Sequence, residues 1–207
     1  MGSETTTHEV RQPGLRERKK QLRLQSITHA ARQLFIRKGF SDTTIQDIAE
    51  AADVGLGTLY LYAKSKEDLL VLVFRENLLQ MIENAFDSIP EELPFIDQVM
   101  AFFDGHIEYH KEDSVLARTV LKELSFPVSP QRRHDVDTII NHTYAKLTQL
   151  VLRAIEVGKL PSDLYVGTAV ASIFGLYYHL LQGFLCEFFS EEEFRKNLRH
   201  ALAMLLP

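Results

Sequence analysis

The 207-residue sequence predicts an all-α fold of about nine helices. Three observations carry that prediction. Apolar residues recur at helical spacing through long segments. The seven prolines and ten glycines are few, and they fall between those segments. No stretch shows the alternation of a half-buried strand, and there is no repeat or low-complexity tract.

Residues 1–14, rich in Thr, Gly and Pro, read as a disordered arm. Arg16, Arg18, Lys19, Lys20 and Arg23 form a basic lead-in to a first helix. Leu24, Ile27, Ala31, Leu34 and Phe35 give that helix its apolar face, and Gly39 is placed to cap its end. In "TTIQ", Thr43 can cap the amide of Gln46, so a short helix is predicted over 45–52. A second short helix covers about 56–63. Ser65 with Asp68 starts another, running to about Ser88.

Beyond Pro90, breakers alternate with periodic segments. "PFIDQVMAFFDGHIEYH" places Phe95, Val99, Phe103, His106 and His110 on one face. "SVLARTVLKELSF" ends before Pro127 and Pro130. A helix of about 28 residues follows, with Val136, Ile140, Thr143, Leu147, Val151 and Ala154 in register. "GKLPSD" breaks it, and helices over 162–187 and 190–206 complete the set.

Composition narrows the function classes. With 45% hydrophobic and 25% charged residues, the chain can build a core and is neither disordered nor fibrous. A single cysteine, Cys186, excludes an internal disulfide and suits a reducing cytoplasm; lying in an apolar run, it reads as a buried thiol. Tyr, His, Gln or Glu interrupts every apolar run before the ~18 residues of a membrane span, and the start lacks the apolar region of a secretory signal. The net charge of −5 is uneven. Residues 1–66 hold 11 Lys/Arg against 7 Asp/Glu, whereas 67–207 hold 12 against 21. A head of +4 on a body of −9 points the head toward a polyanion.

Two short helices joined by Asp53-Val54-Gly55 have the outline of a helix–turn–helix, whose second helix enters the DNA major groove. Leu56, Gly57 and Thr58 would then face DNA, while Ile48, Ala49, Val54 and Leu59 pin the helices together. Asp53 falls where the turn calls for a left-handed residue, which Asp tolerates.

The stretch "GFSDTTIQDIAEAADVGLGTLYLYAKSKEDLL" closely resembles the DNA-binding segment of TetR/AcrR-type transcriptional regulators. Gly39, Phe40, Thr43, Thr44, Ile48, Ala49, Val54, Gly57, Thr58, Leu59, Tyr60, Tyr62, Lys66 and Leu69 match the family pattern. The likeness covers 16–70, about a quarter of the chain; beyond it only length, helix count and the "GKLPSD" break agree. Three positions depart from the pattern: Asp53 for Gly, Gly55 for a Ser cap, and Ala63 for Phe. The resemblance implies that Thr44 and Gln46 meet DNA from the supporting helix, although Gln46 could equally serve only as a cap. Leu56, Gly57 and Thr58 would enter the groove, and Tyr60, Tyr62 and Lys66 would bind phosphates, Tyr60 ahead of Tyr62.

The resemblance further implies a homodimer that reads a palindromic operator through paired last helices. Gly167, Ala171 and Gly175 form a line of small residues suited to close helix approach, and Phe194, Leu198 and Leu202 form a stripe on the last helix. The remaining helices would enclose a cavity for a small, largely hydrophobic effector. Its candidate contacts are Phe103, His106, His110, Arg118 and Phe126, with Thr143, Phe174, Tyr177 and Tyr178. His106 and His110 have a metal-ligand spacing, with His142 as a possible third, but two histidines alone make no site and there is no H-E-x-x-H motif.

The predicted organisation is an arm over 1–15, a three-helix DNA-binding domain over 16–66, and a helical effector-binding and dimerisation domain over 67–207. The function that fits is a ligand-responsive DNA-binding transcriptional regulator, a repressor released from its operator by effector, with no cofactor, no metal and no membrane partner. Alternatives are a helical-bundle metal enzyme using His106 and His110, and a DNA-binding regulator that needs no ligand. The effector and operator are not legible in the sequence.

Overall fold

The computed structural model describes residues 14–205 apart from 112, and among these the chain forms nine helices and no strand. They are α1 (Leu15–Lys38), α2 (Ile45–Ala51), α3 (Leu56–Leu59), α4 (Lys66–Asp87), α5 (Phe95–Lys111), α6 (Ser114–Ser125), α7 (Pro130–Glu156), α8 (Val166–Leu185) and α9 (Glu191–Leu205). Of the expected arm, Gly14 caps α1 and Leu15 opens it; residues 1–13 lie outside the described residues.

The helix ends follow from local chemistry. Gly39 ends α1 with φ +83°, a conformation that costs glycine little. The capping box of α2 is shifted by one residue from the expected position. Thr44, not Thr43, accepts from the Asp47 amide at 3.1 Å, and Asp47 accepts the Thr44 amide at 2.9 Å. An ionised Asp is a stronger acceptor than the Gln46 amide, so the neighbouring threonine takes the cap. Lys38, at 2.6 Å, and Thr44 hold the Asp47 carboxyl down to a pKa of about 2. Thr43 is buried instead, donating to Gly39 O at 2.7 Å. Ser65, Asp113 and Ser129 cap α4, α6 and α7 in the same side-chain manner.

Two elements are shorter than the sequence suggested. α3 is a single turn that tightens after Leu59, where Leu61 and Tyr62 donate to Thr58 and Leu59 in i→i+3 bonds. α8 begins at Val166, because the segment after Pro161 turns back through a Leu164–Pro161 hydrogen bond. Cys186, expected to be buried, is exposed at the C-cap of α8, immediately before Glu187 at φ +61°.

α4 is the axis of the molecule. It packs against α1, α5, α6 and α7, and most of its residues from Asp68 to Leu78 are buried. α8 and α9 pair beside α5, α6 and α7. One apolar core runs from Ile27 in α1 to Leu202 in α9 without a break. At about 1.5–3 kcal/mol for each fully buried Leu, Ile or Phe, that continuity ties the amino-terminal helices mechanically to the rest.

A candidate nucleic-acid interface and an internal cavity

The turn between α2 and α3 is held from several sides. Asp53 adopts φ +53°, the left-handed conformation predicted for it. Val54 donates to Ala49 O, and the Ser26 hydroxyl reaches Ala52 O from α1 at 3.1 Å. Ile48, Ala49, Leu59 and Ala63 are buried beneath. Ala63, where a ring was missed, is only 3% exposed, so its neighbours close over it.

This frame presents a surface. Thr44, Gln46, Leu56, Gly57 and Tyr60 are exposed, and Thr58 is half-buried. Gly57 is informative: a Cβ there would meet nothing within 4 Å, and its φ is not positive. Internal packing does not demand a glycine at 57. Gln46 donates to Glu50 at 2.6 Å and caps nothing. Leu61 is 79% exposed beside Tyr60, a large apolar side chain that sequence reasoning passed over. Tyr62 reaches Lys20 O at 3.3 Å and binds the end of α3 to α1.

Lys66 differs from expectation. Its ammonium donates to Phe40 O at 2.7 Å, Thr43 O at 2.9 Å and Ser41 O at 3.1 Å, and it lies 4.5 Å over the Phe40 ring. All three protons are used within the chain, so the role assigned to it as a phosphate ligand is replaced by capping the end of α1 and its loop.

A cavity of about 60 Å³ lies among α4, α5, α6, α7 and α8. Six of the nine predicted effector residues line it: His106, His110, Thr143, Phe174, Tyr177 and Tyr178. Phe103 sits one layer behind, stacked on Tyr177 at 3.9 Å. Arg118 and Phe126 do not belong to it. Arg118 donates to Leu185 O at 2.8 Å, Phe126 is 80% exposed, and both border a separate outer depression. α6 turns Arg118 outward, and Phe126 follows its last residue, while Leu121 and Leu124 of α6 face the cavity. The α4 contribution, Leu78, Met81 and Ile82, was not singled out in the sequence, where it reads as ordinary core.

The polar groups of this cavity are unusual. Burial pushes the His106 pKa down to about 3 and that of His110 to about 4, so both rings are neutral near pH 7. His106 Nδ1 lies 2.9 Å from Phe102 O, and Nε2 has no partner. Burial raises the Tyr177 and Tyr178 phenols, and Tyr178 shares a 2.7 Å hydrogen bond with Ser125. His110 also borders a groove of about 200 Å³ beneath α1, with Arg32, Phe74 and Asp113. His142 lies 2.7 Å from Glu83, and among the described residues no three His, Cys, Asp or Glu side chains converge as a metal site would require.

At the starts of α4 and α7 lies a buried charge cluster. Arg132, in the first turn of α7, donates to Asp68 in α4 at 3.0 Å and to Glu123 in α6. Ser129 donates to Asp68 at 2.7 Å. Farther along α4, Arg75 donates to the fully buried Asp135 at 2.6 Å.

Comparison with known proteins places this architecture. Residues 27–73, from mid-α1 into α4, match the model of the bacterial regulatory proteins of the tetR family. The chain carries that family's amino-terminal domain. It is 27% identical over 158 residues to the fatty acid metabolism regulator protein of Bacillus subtilis, covering 76% of this chain and 81% of that one. It is 26% identical over 205 residues to the regulator AcrR of Shigella flexneri, covering 88% and 86%. Among solved structures, FadR of Thermus thermophilus in complex with lauroyl-CoA superposes with a TM-score of 0.71 at 21% identity, over 88% of this chain and 92% of that one. FadR of Bacillus subtilis in complex with stearoyl-CoA gives 0.67 at 24%, over 88% and 97%. At these identities the superpositions establish the fold.

With that domain and regulators as its relatives along most of its length, the chain is a DNA-binding transcriptional regulator. The small-residue line and the apolar stripe expected at a dimer interface lie on α8 and α9, and they differ in exposure. Gly167, Ala171 and Gly175 are exposed along α8, with open space above Gly167 and Gly175. Phe194, Leu198 and Leu202 are 1%, 0% and 0% exposed within their own chain. The apolar stripe of α9 packs on its own α8 and α5, so those three residues hold the subunit together. The outward face of α9 carries Lys196, Asn197, His200 and Met204 instead. No helix among the described residues is long and apolar enough to cross a membrane.

Proposed function

We propose that the protein is a cytoplasmic repressor that binds a palindromic operator as a homodimer and is released when an apolar effector enters the internal cavity. One observation carries the reading. α4 supplies both the first-turn residues that anchor the DNA-binding domain and, some ten residues on, Leu78, Met81 and Ile82 of the cavity wall. The functional division falls between 66 and 67, inside the start of that helix.

The mechanism follows from size. Ligand pockets occupy about 300–1,000 Å³, and the cavity is about 60 Å³. An effector therefore binds by separating its walls, and α4 is one of them. Tilting α4 moves two α3 helices that must lie about 34–36 Å apart to read successive major grooves. The effector favours the displaced state because only there does it fit, which is the differential affinity that release requires.

On DNA, Leu56, Gly57, Thr58 and Leu61 face the groove, and Thr44, Gln46, Tyr60 and Tyr62 hold the backbone. Exposed Lys19, Lys20 and Arg23 of α1 add positive charge on the same domain. The dimer forms through the small-residue face of α8 and the outer face of α9. The likeness to a fatty acid metabolism regulator, and to FadR structures that hold stearoyl-CoA and lauroyl-CoA, supports an effector with a long apolar portion, of the acyl-CoA kind.

The test is a duplex selected from a random pool by the purified protein. The selected sequence should be palindromic, Thr58→Ala combined with Tyr60→Phe should abolish its binding while the dimer persists, and a long-chain acyl-CoA should release the wild type. Unchanged binding by the double variant would remove the assignment of the DNA surface.

A further inference from the structure

The chemistry of the cavity specifies what the buried part of its occupant must carry. No Lys, Arg, Asp or Glu lines it. Its walls are aliphatic and aromatic, with five polar side chains, His106, His110, Thr143, Tyr177 and Tyr178. Thr143 donates to Ile139 O at 3.1 Å, and Tyr178 is bonded to Ser125. Among the five, His106 has a fully buried side-chain atom without a partner. Its ring is 4% exposed, packed edge-on against Phe102, Phe103 and Tyr177. Because Phe102 O is an acceptor, the 2.9 Å contact requires the proton on Nδ1. Nε2 then carries a lone pair, is buried, and has no donor facing it. A buried acceptor without a partner is costly, and here it belongs to a residue of the cavity wall.

Resting on the reading of this cavity as the effector site, we propose that His106 selects effectors whose buried portion is uncharged and offers a hydrogen-bond donor, a hydroxyl or an amide N–H. Such a group satisfies Nε2 directly. A carboxylate sets negative charge against the lone pair with no cation on the wall to balance it, so free fatty acid anions are rejected. An acyl-CoA meets the requirement through an amide N–H of its pantetheine arm, and a long-chain alcohol through its hydroxyl. Ethers, esters and hydrocarbons of the same size enter without that bond.

The experiment uses isomeric probes. 1-Octanol and heptyl methyl ether contain the same atoms, but only the alcohol donates; octanoate adds the charge. Binding of each to the full-length dimer is measured by calorimetry, with wild type and with His106→Phe, which keeps a ring and removes the acceptor. Ile139→Phe, which fills the cavity, reports whether the probes sit there. The expected result is an alcohol-over-ether preference of about tenfold in the wild type, with octanoate weakest. In His106→Phe the ratio falls by about that factor, and Ile139→Phe weakens both neutral probes. If the probes compete for the cavity but the ratio is the same in wild type and His106→Phe, the selection by His106 is wrong while the cavity stands. If neither neutral probe binds, or Ile139→Phe has no effect, the cavity reading itself fails and this inference falls with it. The wild-type ratio is informative by itself should His106→Phe not fold: a ratio near one overturns the proposal.

Discussion

Arg132 of α7 and Asp68 of α4 meet at 3.0 Å, with only 5% and 3% of their side chains exposed. Glu123 of α6 takes the same guanidinium from another side. Three helices are thus pinned at the point where α4 leaves the DNA-binding domain, on the path from cavity to operator. The pin is directional and satisfied, and so it can transmit a displacement of α7 or α6 to the start of α4.

Removing its cation should be severe. Arg132→Ala leaves Asp68 and Glu123 as unpaired buried carboxylates, a loss of about 3–5 kcal/mol. Chemical denaturation should show it, and adding Asp68→Asn and Glu123→Gln to the same chain should recover part of the loss. A loss under about 1 kcal/mol would mean that water already solvates the cluster.

Gly57→Ala separates folding from function. Open space surrounds the site and its φ is not positive, so alanine should leave stability unchanged or raise it by up to about 1 kcal/mol. Operator affinity should fall at least tenfold, because the added methyl meets DNA. An affinity equal to wild type would show that α3 does not approach the groove at 57.

The two faces of the carboxy-terminal pair predict opposite phenotypes. Gly175→Arg, on the exposed line of α8, should leave the monomer folded and shift light scattering from dimer to monomer. Leu198→Ala, in the core, should destabilise the fold by about 2–5 kcal/mol. A stable monomer from Leu198→Ala would restore α9's apolar stripe to the interface.

Stability should depend on pH through the buried histidines. Their folded pKa values, about 3 for His106 and about 4 for His110, lie below the ordinary 6.5. The unfolded chain therefore binds protons first as pH falls below 6.5, and the folded state loses ground until the folded pKa is reached. The slope is about 1.4 kcal/mol per pH unit per histidine, or about 2 kcal/mol each between pH 7 and pH 5. His106→Phe should flatten the profile by that share. An unchanged profile would mean that the ring is solvated.

The helices and the helix–turn–helix frame were legible because their signals are local. Asp53 in its left-handed turn, Ser65 capping Asp68, and Gly39 ending α1 are read within four residues. What failed depends on distant partners. Lys66 carries a charge that looks free until the carbonyls of Phe40, Ser41 and Thr43 arrive from 23–26 residues away. Phe194, Leu198 and Leu202 form an apolar stripe in sequence, but periodicity cannot tell a subunit's own core from a partner's. The cavity was found through its aromatics and histidines, whereas Arg118 and Phe126 share its composition and face outward. The Arg132 cluster joins residues more than 60 positions apart and left no sequence signal.

The central claim is that occupancy of the cavity sets operator affinity. It is tested most directly by measuring the Kd of the selected palindromic duplex with and without a saturating long-chain acyl-CoA, in wild type and in Ile139→Phe. Release requires the effector to favour the displaced state, so the wild-type Kd should rise at least tenfold, while Ile139→Phe, whose cavity is filled, should lose that response. A duplex bound equally tightly with and without ligand, by a wild-type protein that calorimetry shows to be loaded, would contradict the account.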